Sequence, residues 1–344
     1  MKINLKLPQV MILGYLLFLV ACMVFLQVPF AALINDSIVK WAMNGVLVLS
    51  LIPMIHVGAG VNFGMGIGIS AGLLGMCLAI EWRLAGWTGF GVSLLCGMII
   101  AVPFGYLYAM LLNRLKGREE IMGTFIGFAF IPLMNLFWTM APFTNRQMLY
   151  PVGGQGLRPR ISLEHYFGRI LDDTLVMNIG SIQVPVALMG FVLLIAGLLH
   201  FFMKTQTGYE MEVVRQNERY AVLSGLNIHH HRTLGIILSA VVAAMGICVY
   251  AQSYGFVQLY DGAQMMAFPA VSALLIGGAG RSKATVSQAL VGAYLYQTTY
   301  LLSVPVANAF LVPEMSEMIR MMVTNGIILY AFLQEGRGGL YEKR

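Results

Sequence analysis

Long apolar runs, separated by short stretches where charge, Gly and Pro collect, dominate the pattern of hydrophobic and polar positions along this chain. A run of about 20 apolar residues crosses the ~30 Å hydrocarbon core of a bilayer as a helix. The pattern predicts ten membrane segments, at roughly 9–28, 40–56, 60–80, 88–112, 121–141, 183–203, 234–253, 262–280, 284–303 and 315–334. The third is rich in Gly and the eighth is interrupted by Pro269, so both read as re-entrant or discontinuous. The short alternating strands of a membrane barrel are absent from the pattern. The fold class is therefore all-α: a polytopic membrane protein of about ten transmembrane or re-entrant helices, with residues 1–344 as one transmembrane domain.

Composition agrees. Of 344 residues, 58% are hydrophobic and 10% charged, against about 25% charged in a soluble domain. The formal charge of +6 comes from residues spread over loop ends rather than one patch, so no nucleic-acid partner is expected. Cys22, Cys77, Cys96 and Cys248 all fall inside apolar runs and read as packing residues. Lys2 and Lys6 precede an apolar run holding "LVAC" (19–22), which resembles a lipoprotein cleavage box. The run continues through Phe25 and Leu26, and it reads instead as a first transmembrane helix.

Charge also sets orientation, because cytoplasmic loops carry excess Lys and Arg. With both termini inside, fourteen Lys and Arg fall on cytoplasmic parts and five (Arg83, Arg146, Arg158, Arg160, Arg169) on external ones. Residues 142–182 become a long external loop, either a structured cap and docking rim or a variable connector. Residues 207–233 become a cytoplasmic insert.

Two of the unusual segments align without gaps, "GVNFGMGIGISAGLLG" (60–75) with "GAQMMAFPAVSALLIG" (262–277). Gly60, Ser70, Ala71, Leu73 and Gly75 fall on Gly262, Ser272, Ala273, Leu275 and Gly277, and Asn62 falls on Gln264. The two run in opposite directions across the membrane. Inverted repeats of broken, small-residue helices are where transporters place their pathway, which makes Asn62, Phe63, Ser70, Gln264 and Ser272 candidates to line one. Chance matching among Gly, Ala, Leu and Ser is the competing explanation.

Catalytic constellations are missing from the sequence, and no cofactor or metal is expected. "GGAGRSKAT" (277–285) lacks the Walker spacing and reads as a basic turn. His229, His230 and His231 have no cysteine or carboxylate at ligand spacing and read as a polar or phosphate-facing surface. Glu317 and Arg320, three apart near the start of the last span, are expected to pair. No ionisable residue sits where a proton- or sodium-coupled carrier needs one, so energy for transport is expected from another chain.

The insert "TGYEMEVVRQNERYAVLSGLNIHHHRT" (207–233) gathers charge between apolar segments. Residues 209–224 read as one short amphipathic helix ended by Gly225, with the next span beginning after Arg232. A cytosolic helix with an apolar stripe suits docking to a soluble partner, or alternatively lies in the membrane interface. Here the chain resembles a family. Thr207-Gly208, Asn217-Glu218, Ala221, Gly225 and the run Ser239–Gly246, with "LLIGGAG" (274–280) and the Gly-rich third segment, are similar to permease subunits of bacterial ABC importers of the ribose, autoinducer-2, nucleoside and branched-chain amino-acid group.

That resemblance implies a multi-pass protein of the bacterial plasma membrane, not an enzyme itself. A second permease chain would complete the pore, and separate ABC ATPase subunits would grip a coupling helix. Glu218, Arg219, Tyr220, Ala221 and Gly225 would belong to that helix. An external binding protein would deliver a small polar solute. Sugar-type members carry an acidic residue and Ser where this chain has Asn62 and Phe63, a pair closer to amino-acid-type members. The solute is thus expected to be a sugar or nucleoside, with an amino acid next. A self-sufficient secondary carrier is the alternative, and a membrane enzyme or scaffold the third class.

Overall fold

A computed structural model describes residues 7–26, 30–115, 117–150, 156–180, 182–280 and 283–310, with Met318 and Gly326. In chain order the elements are α1 (Leu7–Phe25), α2 (Phe30–Leu49), α3 (Ile52–His56), α4 (Gly66–Glu81), α5 (Gly86–Arg114), α6 (Glu119–Met140), β1 (Arg160–Ser162), α7 (Ile170–Asp173), β2 (Val176–Ile179), β3 (Ile182–Pro185), α8 (Val186–Met203), α9 (Gln206–Gln216), α10 (Glu218–Leu223), α11 (Ile228–Tyr254), β4 (Phe256–Gln258), α12 (Gly262–Ile276) and α13 (Val286–Phe310). The fold is mostly helical, as the hydropathy pattern predicts. Among the described residues, the stretch Ala32–His56 and helices α5, α6, α8 and α11 are long and apolar enough to cross a bilayer.

Helix α4 lies at the centre, with Ile69, Ala71, Leu73, Met76, Cys77, Ala79 and Ile80 all buried. It packs on α5 and α11, and α11 packs on α5 and α2. Small residues set these distances. A Cβ on Gly68 would lie 2.8 Å from Ala240 Cα on α11, so only glycine admits the close crossing.

Several predicted boundaries move. The second span begins ten residues earlier, at Phe30, and breaks between Leu49 and Ile52. Pro53 has no amide for the Leu49 carbonyl, and Ser50 Oγ turns back to Leu47 O at 2.6 Å. The third segment is helical only from Gly66; before it, Gly58 (φ 77°) and Gly60 (φ 76°) carry the chain through a non-helical approach. At 16 and 15 residues, α4 and α12 are both short, as expected of discontinuous segments. Residues 182–185 form a strand rather than the head of a span. Apart from Met318 and Gly326, the predicted last segment, Glu317 and Arg320 included, lies outside the described residues.

The aligned segments behave alike. Ser70 Oγ donates to Gly66 O (2.8 Å), and Ser272 Oγ makes the corresponding bond to Phe268 O (2.6 Å). A Cβ on Gly75 would lie 2.6 Å from Ser93 O and 2.7 Å from Gly97 Cα of α5. A Cβ on Gly277 would lie 2.9 Å from Gln288 C and 3.0 Å from Gly292 Cα of α13. Each short helix thus crosses its successor at an equivalent glycine, against two residues spaced four apart.

The described parts of the long segment after α6 are folded. β1 pairs antiparallel with β4, setting Ile161 opposite Val257, and Met148, Leu157, Leu163, Phe167 and Leu171 are all buried. The four cysteines are free thiols, with Cys77 and Cys248 buried.

Candidate functional site

The ends of the helices sort into two groups. At one end, Glu81 accepts from Thr144 and Asn145, and Gln252 O accepts from Arg169 N. At the other, the α3–α4 connection, the α5–α6 turn, α9, α10 and the head of α11 meet. The segments around 57–60, 113–120 and 204–233, which the predicted topology puts on one side, touch one another.

The insert is two helices, not one. Asn217 (φ −153°, ψ 99°) leaves helical geometry, ends α9 and caps α10, its Oδ1 accepting from Tyr220 N at 3.0 Å. Asparagine competes for backbone bonds in this way, which is how it can end one helix and cap the next. Asn227 repeats the device, capping α11 through His230 N (3.1 Å), so that helix starts at Ile228 and not after Arg232. Gly225 (φ 78°) turns the chain between them.

Two charged contacts fasten this pair of turns to the membrane bundle. Glu210 Oε2 on α9 lies 3.0 Å from His231 Nε2 on α11, and His231 Nδ1 is 2.9 Å from Asn227 O. The hydrogen bond from His231, with a second from Gln206, holds the Glu210 carboxyl below the usual carboxylate range. The buried Arg232 reaches Glu119 at 2.6 Å and Asn113 at 3.1 Å, tying α11 to the α5–α6 turn. Sequence spacing placed no carboxylate near the histidines; Glu210 is 21 residues away and arrives through the fold. His231 is thus buried, whereas His229 and His230 remain exposed. Beneath α9, a cavity of about 460 Å³ opens among Gly58, Gly60, Arg118, Glu119, Glu120 and Arg215.

The predicted coupling residues divide by role. Ala221 is fully buried and seats α10 on the bundle. Arg219 and Tyr220 are exposed, Gly225 lies on the exposed turn, and Glu218 is half-buried. Val222 and Leu223 join them, Leu223 at 87% exposure, so a six-residue helix presents three apolar side chains outward.

The predicted pathway residues also divide. Asn62 is 1% exposed: its Nδ2 donates to Ser239 Oγ (2.8 Å), its Oδ1 accepts from Tyr108 (3.1 Å), and Ser239 donates to Ser50 O (2.7 Å). In this conformation it ties the approach to α4 to both α5 and α11 rather than facing open space. Gln264, its aligned counterpart, is exposed on α12. Ser70 and Ser272 are buried and bonded within their own helices. Phe63 does meet the second segment: it packs on Phe268 at 5.8 Å, and Phe268 packs on Phe128 of α6 at 6.3 Å. Phe128 and Phe268, which the sequence did not single out, extend an exposed face that includes Gln264, Met265 and Phe125.

This bundle of apolar helices, with paired broken segments and a polar insert at one end, defines a multi-pass membrane protein of transporter type. Residues 4–328 match the profile of the family described as branched-chain amino acid transport system / permease component, and the chain belongs to that family. Over 168 residues it is 27% identical to the nucleoside ABC transporter permease protein NupC of Lactococcus lactis subsp. cremoris (strain MG1363), covering 47% of this chain and 48% of that one. It is 27% identical over 160 residues to the tyrosine transport system permease protein of Clostridioides difficile (strain R20291), covering 44% and 50%. A 280-residue match, 26% identical, covers 77% of this chain and 75% of a protein named as a glucose ABC transporter permease, TsgC13, of Haloferax volcanii. The chain thus aligns with about half the length of the first two relatives.

Proposed function

We infer that this chain is the membrane-spanning permease of an ATP-driven importer in a bacterial plasma membrane, with α10 as the grip for a separate ATPase subunit. The observation that carries this reading is the exposed triad Tyr220, Val222 and Leu223 on a helix whose own seat, Ala221, is buried. A short helix with its apolar residues turned outward and its frame locked by Glu210–His231 and Arg232–Glu119 suits transmission of force into α11. Both termini face the cytosol in this reading, and residues 142–182 form the external rim on which a binding protein docks.

A second permease chain covers the exposed face of α6 and α12. An amide such as Gln264 is unfavourable against lipid, so its exposure on an apolar helix supports a face that meets water or protein. The solute is a small polar molecule. The names of the relatives span a nucleoside, an amino acid and a sugar, and a sugar or nucleoside remains the first choice, with an amino acid next.

Reconstitution with the cognate ATPase and binding protein tests this. Tyr220→Asp and Leu223→Asp should abolish ATP-dependent uptake and ATPase capture while leaving membrane levels of the protein unchanged. Undiminished uptake by both variants, or uptake by the isolated chain without nucleotide, would overturn the assignment.

A further inference from the structure

Where the proposed external rim meets α8, the β2–β3 hairpin carries a surface that differs from the rest of the rim. Between Asp173 and Lys204 the chain carries no Asp, Glu, Lys or Arg. All four residues of β2 are exposed. Side chains directly opposite in an antiparallel pair share a face, and faces alternate along each strand. The register sets Met177 opposite Val184 and Ile179 opposite Ile182, so these four lie on one face, joined by Leu175 two residues before Met177. That face is wholly apolar. The opposite face carries Asn178 with Gln183, and Val176 with Pro185.

The two faces meet different surroundings. Val176, Gln183 and Pro185 line a polar cavity of about 440 Å³ with Asn35, Asp36 and Lys40 of α2 and Asp172 of α7. Gln183 N donates to Asn35 Oδ1 at 2.9 Å, tying the edge of β3 to α2. The apolar face does not line that cavity; its β2 side is open, with Leu175 at 72% and Met177 at 56% exposure, while Ile182 and Val184 of β3 are half-buried. The hairpin is also fastened to α8, where Val186 N donates to Leu175 O at 3.2 Å.

Helix α8 fixes the depth. Its 18 residues span roughly 27 Å at ~1.5 Å per residue, slightly less than a ~30 Å hydrocarbon core. Leu193, Leu194, Leu198 and Phe201 form an exposed apolar stripe along it. Residues immediately preceding Val186 therefore lie at the hydrocarbon boundary.

We propose that the β2–β3 hairpin is a lipid anchor, its Leu175/Met177/Ile179 face inserted between acyl chains of the leaflet where α8 begins. The occupant is lipid rather than a soluble partner because the face offers no charge and no side-chain hydrogen-bonding group for a protein to read. It also continues the apolar surface of a membrane helix. The anchor holds the head of α8 at fixed depth.

The full chain in its native membrane tests this, with a photoreactive phenylalanine analogue placed at position 177 or, on the other face, at 178. Position 177 should crosslink to phospholipid and 178 should not. Crosslinking of 177 to an external protein or a second permease copy, or to no molecule at all, overturns the proposal. Met177→Trp in liposomes gives an independent reading: the added emission should be blue-shifted and lost to brominated lipid rather than to aqueous acrylamide. Emission quenched from the aqueous side alone overturns it equally.

Discussion

Gly225 occupies φ 78° with nothing within 4 Å of where a Cβ would stand, so its identity is required by backbone geometry and not by space. Gly225→Ala should cost about 1–2 kcal/mol locally through left-handed strain. Hydrogen exchange of amides 218–226 should then accelerate, while α4 and α11 stay protected. Asp172 is a different case. Its carboxyl is buried, and Oδ2 has no hydrogen-bond partner. Desolvation raises its pKa, only partly offset by Ser253, Gln252 and the Arg169 charge. A folded-state value above the unfolded one means the fold favours the protonated form. Wild-type stability therefore declines as pH rises from the ordinary carboxylate value through the raised one. Asp172→Asn mimics the neutral form, so its melting temperature should exceed wild type at neutral pH, with the gap closing on acidification. A variant less stable than wild type at neutral pH would show that the carboxylate is compensated.

At the scale of elements, the more buried of the two charged contacts at the joint between the insert and the bundle is the Arg232–Glu119 pair. Arg232 and Glu119 side chains are 4% and 14% exposed. Breaking such a pair from one side typically costs about 3–5 kcal/mol because the other charge stays buried, whereas neutralising both recovers much of the loss. Arg232→Met should accordingly expose the α5–α6 turn to limited proteolysis, and the Arg232→Met/Glu119→Gln double variant should restore resistance. Gly225 as a helix stop was legible in the sequence, since glycine is the residue that left-handed caps select. The break at Asn217 and the early start at Ile228 were legible only in principle. Asn is an ordinary mid-helix residue on periodicity alone, and its capping role depends on where the neighbouring helix docks.

Across the whole molecule, close crossings at glycine decide the architecture. Gly277→Val would drive side-chain atoms into the α13 backbone around Gln288 and Gly292, and Gly75→Val would do the same to α5. Both should yield chains that reach the membrane but run as aggregates on size-exclusion chromatography. Gly190→Ala, on α8 with no neighbour within 4 Å, should remain monodisperse. That contrast separates a packing requirement from the general tolerance of membrane helices for glycine.

The sequence by itself determined the solvent, the helical class, most spans, the short broken pair at 60–80 and 262–280, and the polar insert with its Gly stop. Each follows from local periodicity, or from a residue type whose backbone preference acts alone. Only the tertiary structure decided which residues of those segments face what. Asn62 and Gln264 align, yet one is locked among Ser239 and Tyr108 while the other is exposed. Likewise His231 finds Glu210, and Arg232 finds Glu119. The physical reason is common to all three. A polar side chain in an apolar chain takes whichever partner the packing brings within about 3 Å, and partners 21 to 177 residues away leave no periodic trace.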